Sequence, residues 1–107
     1  MRYAYRDLGC QTKGDRVIVR WSGGSAADVL LLDPVNFAKY RGARLPVAYS
    51  GGGRYRRPPA KLTIPEEGRW YVVADLRGYS TLAEATVEMP HPGGSDQTRQ
   101  EQLIAAA

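Results

Sequence analysis

Basic and aromatic side chains alternate through the middle of this 107-residue chain, and they could bind anions. Guanidinium groups bind phosphates and carboxylates through paired hydrogen bonds, and tyrosine rings stack on bases or sugars. Three glycines at positions 51–53 would let backbone amides approach a ligand closely. The pattern therefore predicts a binding face within residues 39–61. Its candidate ligand-binding residues are Lys39, Tyr40, Arg41, Arg44, Arg54, Tyr55, Arg56 and Arg57.

The distribution of charge points to the same segment. The chain has 15 Lys and Arg against 11 Asp and Glu, which gives a net charge of +4. Residues 34–65 contain seven cations and no acid, whereas residues 66–107 contain three arginines and seven acids. The excess positive charge lies in the middle third, which favours an anionic partner. The alternative is that these cations only keep the protein soluble.

Two kinds of binding fit the 39–61 face. The first is a non-enzymatic binding or sensing module that recognises a protein surface or a small anionic ligand. The alternative is a nucleic-acid-binding domain in which the same residues follow a phosphate backbone. The net charge of +4 is modest, and the acidic C-terminal third would repel a long polyanion, so the first is preferred. The triple glycine is not a P-loop, because the lysine and hydroxyl of that motif are missing.

The sequence offers little for enzyme chemistry. Nucleophilic catalysis needs a base beside the nucleophile, and the one histidine, His91, lies between two prolines in a linker-like stretch. Cys10 follows a glycine in a predicted turn, where nearby Lys13 could favour a thiolate, but a structural or incidental placement is expected instead. We therefore expect that the protein is not an enzyme. An enzyme using only acids, arginines and tyrosines stays a minor alternative, with Asp75 or Asp33 as its acid in a pocket.

No metal or other cofactor is expected. One cysteine and one histidine cannot form a usual zinc site. Asp28, Asp33 and Asn36 carry oxygen ligands, but they lack the spacing and the downstream glutamate of a calcium loop. Asp33 is expected instead to begin a turn by accepting hydrogen bonds from backbone amides.

The elements that must position these residues are mostly strands. Residues 16–21 alternate, with Val17, Val19 and Trp21 on one face, and residues 29–32 are apolar on both faces, as in a central strand. One helical turn is predicted near residues 35–41. Residues 47–49 are predicted to form a short strand, and residues 50–53 a loop because consecutive glycines disfavour regular elements.

The second half of the chain repeats this pattern of strands and turns. A turn at residues 65–68 is predicted to join strands 62–64 and 70–74 as a hairpin, and residues 81–89 alternate again. About seven short strands with no long helix favour an all-β fold, an antiparallel β-sandwich of jelly-roll type, over a small barrel. Its two sheets would pack about 10 Å apart.

Chain length and composition predict a single domain. Residues 1–89 are expected to form one β-sandwich, because a chain of this size builds one core. Residues 90–107 are expected to be a linker-like, flexible tail, whose short capping-box segment would fray as an isolated helix. The start has no apolar signal segment, and no apolar stretch reaches about 18 residues, so we expect a cytoplasmic protein without a membrane span. The oligomeric state is left open.

A family likeness is carried by Asp7-Leu8-Gly9, Gly14-Asp15, Ser22-Gly23, 26–33, Asn36-Phe37, Tyr40, Gly52-Gly53, Pro65, Gly68, Trp70 and 75–79. Together these residues resemble the bacterial domain of unknown function family 1883. The likeness covers roughly residues 1–89, with Arg77 where a second glycine is expected before Gly78. It implies a compact, mainly β module, sometimes joined to TIR-type signalling domains, and it assigns no reaction, ligand or catalytic residue.

Overall fold

Two antiparallel sheets pack face to face in the structure, a computed structural model that describes residues 3–21, 26–42, 48–49, 51–75, 85–89 and 99–106. The five-stranded sheet has the order β4-β3-β6-β1-β9, and the four-stranded sheet has the order β5-β2-β7-β8. This arrangement confirms the predicted all-β sandwich. The elements are β1 (Tyr3–Gln11), β2 (Arg16–Trp21), β3 (Ala27–Leu32), α1 (Pro34–Arg41), β4 (Gly51–Tyr55), β5 (Ala60–Thr63), β6 (Gly68–Asp75), β7 (Ala85–Met89), β8 (Arg99–Gln102) and β9 (Ile104–Ala106).

The main core lies between the two sheets. Val17 and Val19 of β2 are fully buried and Trp21 is nearly so, as their alternation predicts. They pack in one cluster with Trp70 and Val72 from β6 of the opposite sheet. We call this cluster the inter-sheet core. Its apolar burial is the main source of stability available to a chain without a disulfide.

A second apolar cluster lies on the outer face of the five-stranded sheet, beneath α1. Phe37 of α1 packs there against Leu32 and Val73, so β3 and β6 are apolar on both faces. The helix covers the region near residues 35–41 where a helical turn is predicted. It begins at Pro34, where the Asp33 carboxylate caps it by accepting a 2.8 Å hydrogen bond from the amide of Asn36. In the described ranges, no helix is long and apolar enough to span a membrane.

The predicted hairpin between residues 62–64 and 70–74 is wrong. β5 belongs to the four-stranded sheet and pairs with β2, whereas β6 lies in the other sheet between β3 and β1. The connection crosses the sandwich, and the indole nitrogen of Trp70 donates to the Glu66 carbonyl at 2.9 Å. Leu62 and Trp70 reach the inter-sheet core from opposite sheets. Their burial therefore satisfies the apolar pattern without strand pairing between them.

The prediction of a loop at residues 50–53 is also wrong for the three glycines. They begin β4 and pair with β3, Gly52 lying opposite Leu30. A Cβ on Gly52 would lie 1.9 Å from the Val29 carbonyl oxygen, so only glycine fits there. Close backbone packing thus outweighs the entropy that glycine loses. In the predicted 47–49 strand, Tyr49 lies outside any strand, and Val47 falls outside the described residues.

Residues 99–106 form two strands within the segment 90–107 that is predicted to be a flexible tail. β8 pairs with β7, and β9 pairs with β1, so each sheet gains one edge strand. Between them the Leu103 side chain is buried in the inter-sheet core, and its amide donates to the Ala85 carbonyl at 2.9 Å. Paired strands and a buried leucine hold residues 99–106 where an isolated helix would fray.

Candidate functional site

A row of polar side chains crosses the outer face of the five-stranded sheet near the C-terminal end of α1. Arg54 of β4 lies opposite Asp28 of β3, and Asp28 lies opposite Asp75 of β6. Asp75 in turn lies opposite Tyr3 of β1. Residues from four strands therefore meet in one line across the sheet, because directly opposite residues in antiparallel strands share a face.

The two carboxylates in this row are held by neighbouring groups. Like charges directly opposite each other destabilise a sheet, so Asp28 and Asp75 need compensation. A guanidinium nitrogen of Arg54 lies 3.9 Å from the Asp28 carboxylate. The hydroxyl of Tyr40, on α1, donates to the Asp75 carboxylate at 2.7 Å. Burial raises the pKa of Tyr40, and the hydrogen bond to Asp75 raises it further, so Tyr40 stays a neutral donor.

Aromatic rings pack next to this row, between α1 and the outer face of the five-stranded sheet. The ring of Phe37 stacks on that of Tyr71 with centroids 4.1 Å apart, and Tyr40 meets Tyr3 edge to face at 4.9 Å. The guanidinium carbon of Arg41 lies 5.5 Å from the centroid of the Tyr5 ring and 5.6 Å from that of Phe37. These cation–π contacts hold the Arg41 charge at the surface beside the helix end.

The structure brings only part of the predicted 39–61 face together. Tyr40, Arg41 and Arg54 lie on the outer face of the five-stranded sheet, and Lys39 is exposed on α1. Tyr55 points to the other side of the sheet and packs against the inter-sheet core.

The remaining predicted residues lie beyond this face. Arg56 and Arg57 are exposed in the segment that follows β4. Arg44 falls outside the described residues. Arg54, near the end of β4, and Arg56 and Arg57, just after it, are thus three exposed arginines within four positions.

Other cations lie on the opposite side of the sandwich. Lys61 of β5 is the register partner of Ile18 on β2, and it shares the outer face of the four-stranded sheet with Arg16 and Arg20. Arg20 lies 3.5 Å from Glu88. The seven cations of residues 34–65 therefore do not share one surface.

Asp28 and Asp75, the acids of the polar row, were not among the predicted ligand-binding residues. Asp28 and Asp75 were visible as carboxylates, but their closeness depends on the register of β3 against β6. A second pair, Asp7 and Arg69, lies at the far end of the same sheet. The hydrogen bond from Arg69 lowers the pKa of Asp7. Across the described ranges, no three His, Cys, Asp or Glu side chains come together as a metal site.

Comparison with known proteins places these features in one family. The family model described as Domain of unknown function (DUF1883) matches residues 1–93. No curated protein matches the chain, and no solved structure matches it. The match covers every described element from β1 to β7, including all residues of the polar row.

Proposed function

The chain belongs to the DUF1883 family, and we propose that it is a non-enzymatic binding module that recognises anionic groups through Arg54, Arg56 and Arg57. The anionic group would be carried by a protein surface or a small ligand. We further propose that the domain works in the cytoplasm, which a free and exposed Cys10 suits because reducing compartments keep thiols unpaired.

The observation that carries this proposal is the run of exposed arginines at and just after the end of β4. The Arg54 side chain is 57% exposed, and its contact with Asp28 is long at 3.9 Å. Because the Arg54 side chain is largely exposed and this contact is long, an incoming carboxylate or phosphate can share the guanidinium with Asp28. Arg56 and Arg57 are exposed and form no ion pair with any other described residue. Three guanidinium groups are thus available to an anion.

The surroundings of the row suit binding better than catalysis. Asp75 accepts the Tyr40 hydroxyl, and Asp28 lies beside Arg54, so both carboxylates have a structural use. The aromatic rings nearby are packed under α1, which gives a rigid support for surface charges. A rigid scaffold with charges at its rim is the usual design of a recognition surface.

Charge reversal tests the proposal. The probe is a fluorescein-labelled eight-residue peptide of alternating Glu and Thr, measured by fluorescence anisotropy at about 50 mM salt. Arg56→Glu combined with Arg57→Glu should weaken binding at least tenfold. Arg16→Glu combined with Lys61→Glu makes the same change of net charge on the opposite side of the sandwich and should change the affinity less than threefold. Equal losses in both double variants would show a bulk charge effect and overturn the proposal.

Nucleic acid is the alternative partner. The dependence of binding affinity on salt concentration distinguishes it from an acidic protein segment or small ligand. A domain that contacts about five phosphates should lose affinity with a slope near −4 to −5 against log salt concentration. Tyr40 is packed between α1 and the five-stranded sheet, and Tyr55 packs against the inter-sheet core. Both rings are therefore poorly placed to stack on bases. We therefore expect a labelled 12-residue oligonucleotide to bind more weakly than the acidic peptide. Tighter binding with the steep slope would favour the alternative.

A further inference from the structure

We infer that β4 is a docking edge, to which an extended acidic segment of a partner protein adds as a further strand. This inference rests on the proposed function, since the same arginines would hold the acidic segment. It adds the mode of recognition: backbone hydrogen bonds to β4 supply affinity, and the arginines select for acidic side chains.

The position of β4 in the sheet makes its backbone available. β4 is the first strand of the five-stranded sheet and pairs with β3 on one side. On its other side no described strand pairs with it. An edge strand leaves alternate amide and carbonyl groups without a strand partner, and these can bind another extended chain. Gly52 is exposed, and Gly51 and Gly53 are half-buried.

The glycines leave this edge unusually bare. The carbonyl of Val29 excludes any side chain at position 52. A Cβ on Gly51, in contrast, would make only ordinary contacts, the nearest at 3.7 Å to Leu31. Packing therefore does not explain glycine at position 51. Natural edge strands are commonly blocked by proline or lysine. β5, the neighbouring edge of the other sheet, follows two prolines and carries Lys61, whereas β4 contains neither residue type.

Charge selects the occupant of this edge. Arg54, Arg56 and Arg57 extend from the end of β4, so a neighbouring strand with acidic side chains would be attracted there. A second copy of the same chain paired through β4 would offer glycines and further arginines but no acid from its own β4, so charge does not favour self-association. The edge therefore fits an acidic segment of a different protein.

Apolar side chains lie near the other end of β4. Tyr49, two residues before the strand, is 52% exposed, and Val35 of α1 is 65% exposed. The two segments are tied together, because the amide of Ala48 donates to the Asn36 side chain at 3.1 Å. The partner segment should thus carry acids beside the arginines and an apolar residue near Tyr49.

The test uses peptides that differ only in their ability to pair. The parent probe is the eight-residue peptide of alternating Glu and Thr. In two isomers every second amide is N-methylated, in one phase or the other, so the charge is unchanged and one set of amide donors is removed. A peptide of alternating Lys and Thr controls for charge. Binding is measured by anisotropy, and hydrogen exchange is followed at the amides of β4.

Strand addition predicts a phase-dependent result. One N-methylated isomer should lose at least tenfold in affinity, the other should bind within about threefold of the parent, and alternate β4 amides should exchange at least tenfold more slowly with the parent bound. If both isomers bind like the parent, strand addition is overturned while the proposed function stands. If the lysine peptide binds equally well, or the parent shows no binding up to about 1 mM, both fail. Dimerisation in sedimentation equilibrium, with slowed exchange of alternate β4 amides in the absence of any peptide, would make a second copy the occupant and overturn the inference.

Discussion

The hydroxyl of Tyr40 donates a 2.7 Å hydrogen bond to the carboxylate of Asp75, and so ties the C-terminal turn of α1 to the middle strand of the five-stranded sheet. The same carboxylate lies opposite Asp28, which contacts Arg54 at the sheet edge. Helix and edge strand are therefore connected through one polar row.

Removing this hydroxyl should measurably destabilise the fold. Tyr40→Phe keeps the ring that packs against Tyr3 and takes one donor from Asp75. We expect the free energy of unfolding to fall by about 1–3 kcal/mol, the range for lost hydrogen bonds to partly buried charged groups. Urea unfolding followed by tryptophan fluorescence measures the change. Tyr49→Phe, at a side chain 52% exposed, is the control and should stay within about 0.5 kcal/mol.

Stability should also fall at alkaline pH because of Tyr40. Burial and the Asp75 hydrogen bond raise the pKa of this phenol in the folded state above the unfolded value near ~10. Its contribution is therefore fully present below about pH 10 and is lost as the pH rises further. The urea midpoint should drop between pH 9 and about pH 11.5, and it should drop less in Tyr40→Phe. Identical pH profiles for both proteins would contradict this assignment.

Adjacent glycines in β4 should respond oppositely to alanine. At Gly52 the backbone has φ +106°, and an added Cβ would meet the Val29 carbonyl oxygen at 1.9 Å. Gly52→Ala should therefore cost at least about 2 kcal/mol through clash and backbone strain. Gly51→Ala meets only ordinary contacts and should leave the free energy of unfolding unchanged or raise it by up to about 1 kcal/mol. Thermal melts of both variants decide whether β4 packs as described.

Leu103 and Ile104 test whether the chain after Met89 belongs to the domain. Leu103 is buried in the inter-sheet core, whereas Ile104 is 51% exposed. Leu103→Ala should lower the free energy of unfolding by about 2–5 kcal/mol, because it leaves a cavity between the sheets. Ile104→Ala should stay within about 0.5 kcal/mol. Two equally small effects in urea unfolding would instead support a tail that does not contribute to the fold.

Features governed by neighbours in sequence were predictable. The alternation of Val17, Val19 and Trp21 predicts a half-buried strand, and their burial confirms it. Asp33 is predicted to begin a turn by accepting hydrogen bonds from backbone amides, and its carboxylate accepts such a bond as the N-cap of α1. In both cases the deciding physics lies within a few residues, since side-chain period and capping geometry are local properties.

The identity of the pairing strands was not predictable in this way. A turn composition at residues 65–68 suits a hairpin, but β5 and β6 join different sheets because each finds its partners far along the chain. Glycines at 51–53 resemble a loop until the Val29 carbonyl is seen to exclude a side chain at Gly52. Residues 99–106 become strands because edges of both sheets are available to them.

The candidate site shows the same division. Composition located the excess of cations at residues 34–65, and Arg54, Arg56 and Arg57 were among the eight residues predicted to bind a ligand there. Only the tertiary structure separated Lys61 from Arg54, turned Tyr55 toward the inter-sheet core, and placed Asp28 beside Arg54 and opposite Asp75. Charge is carried by the residues themselves, whereas the face on which each charge lies depends on strand register and sheet membership, which non-local packing decides.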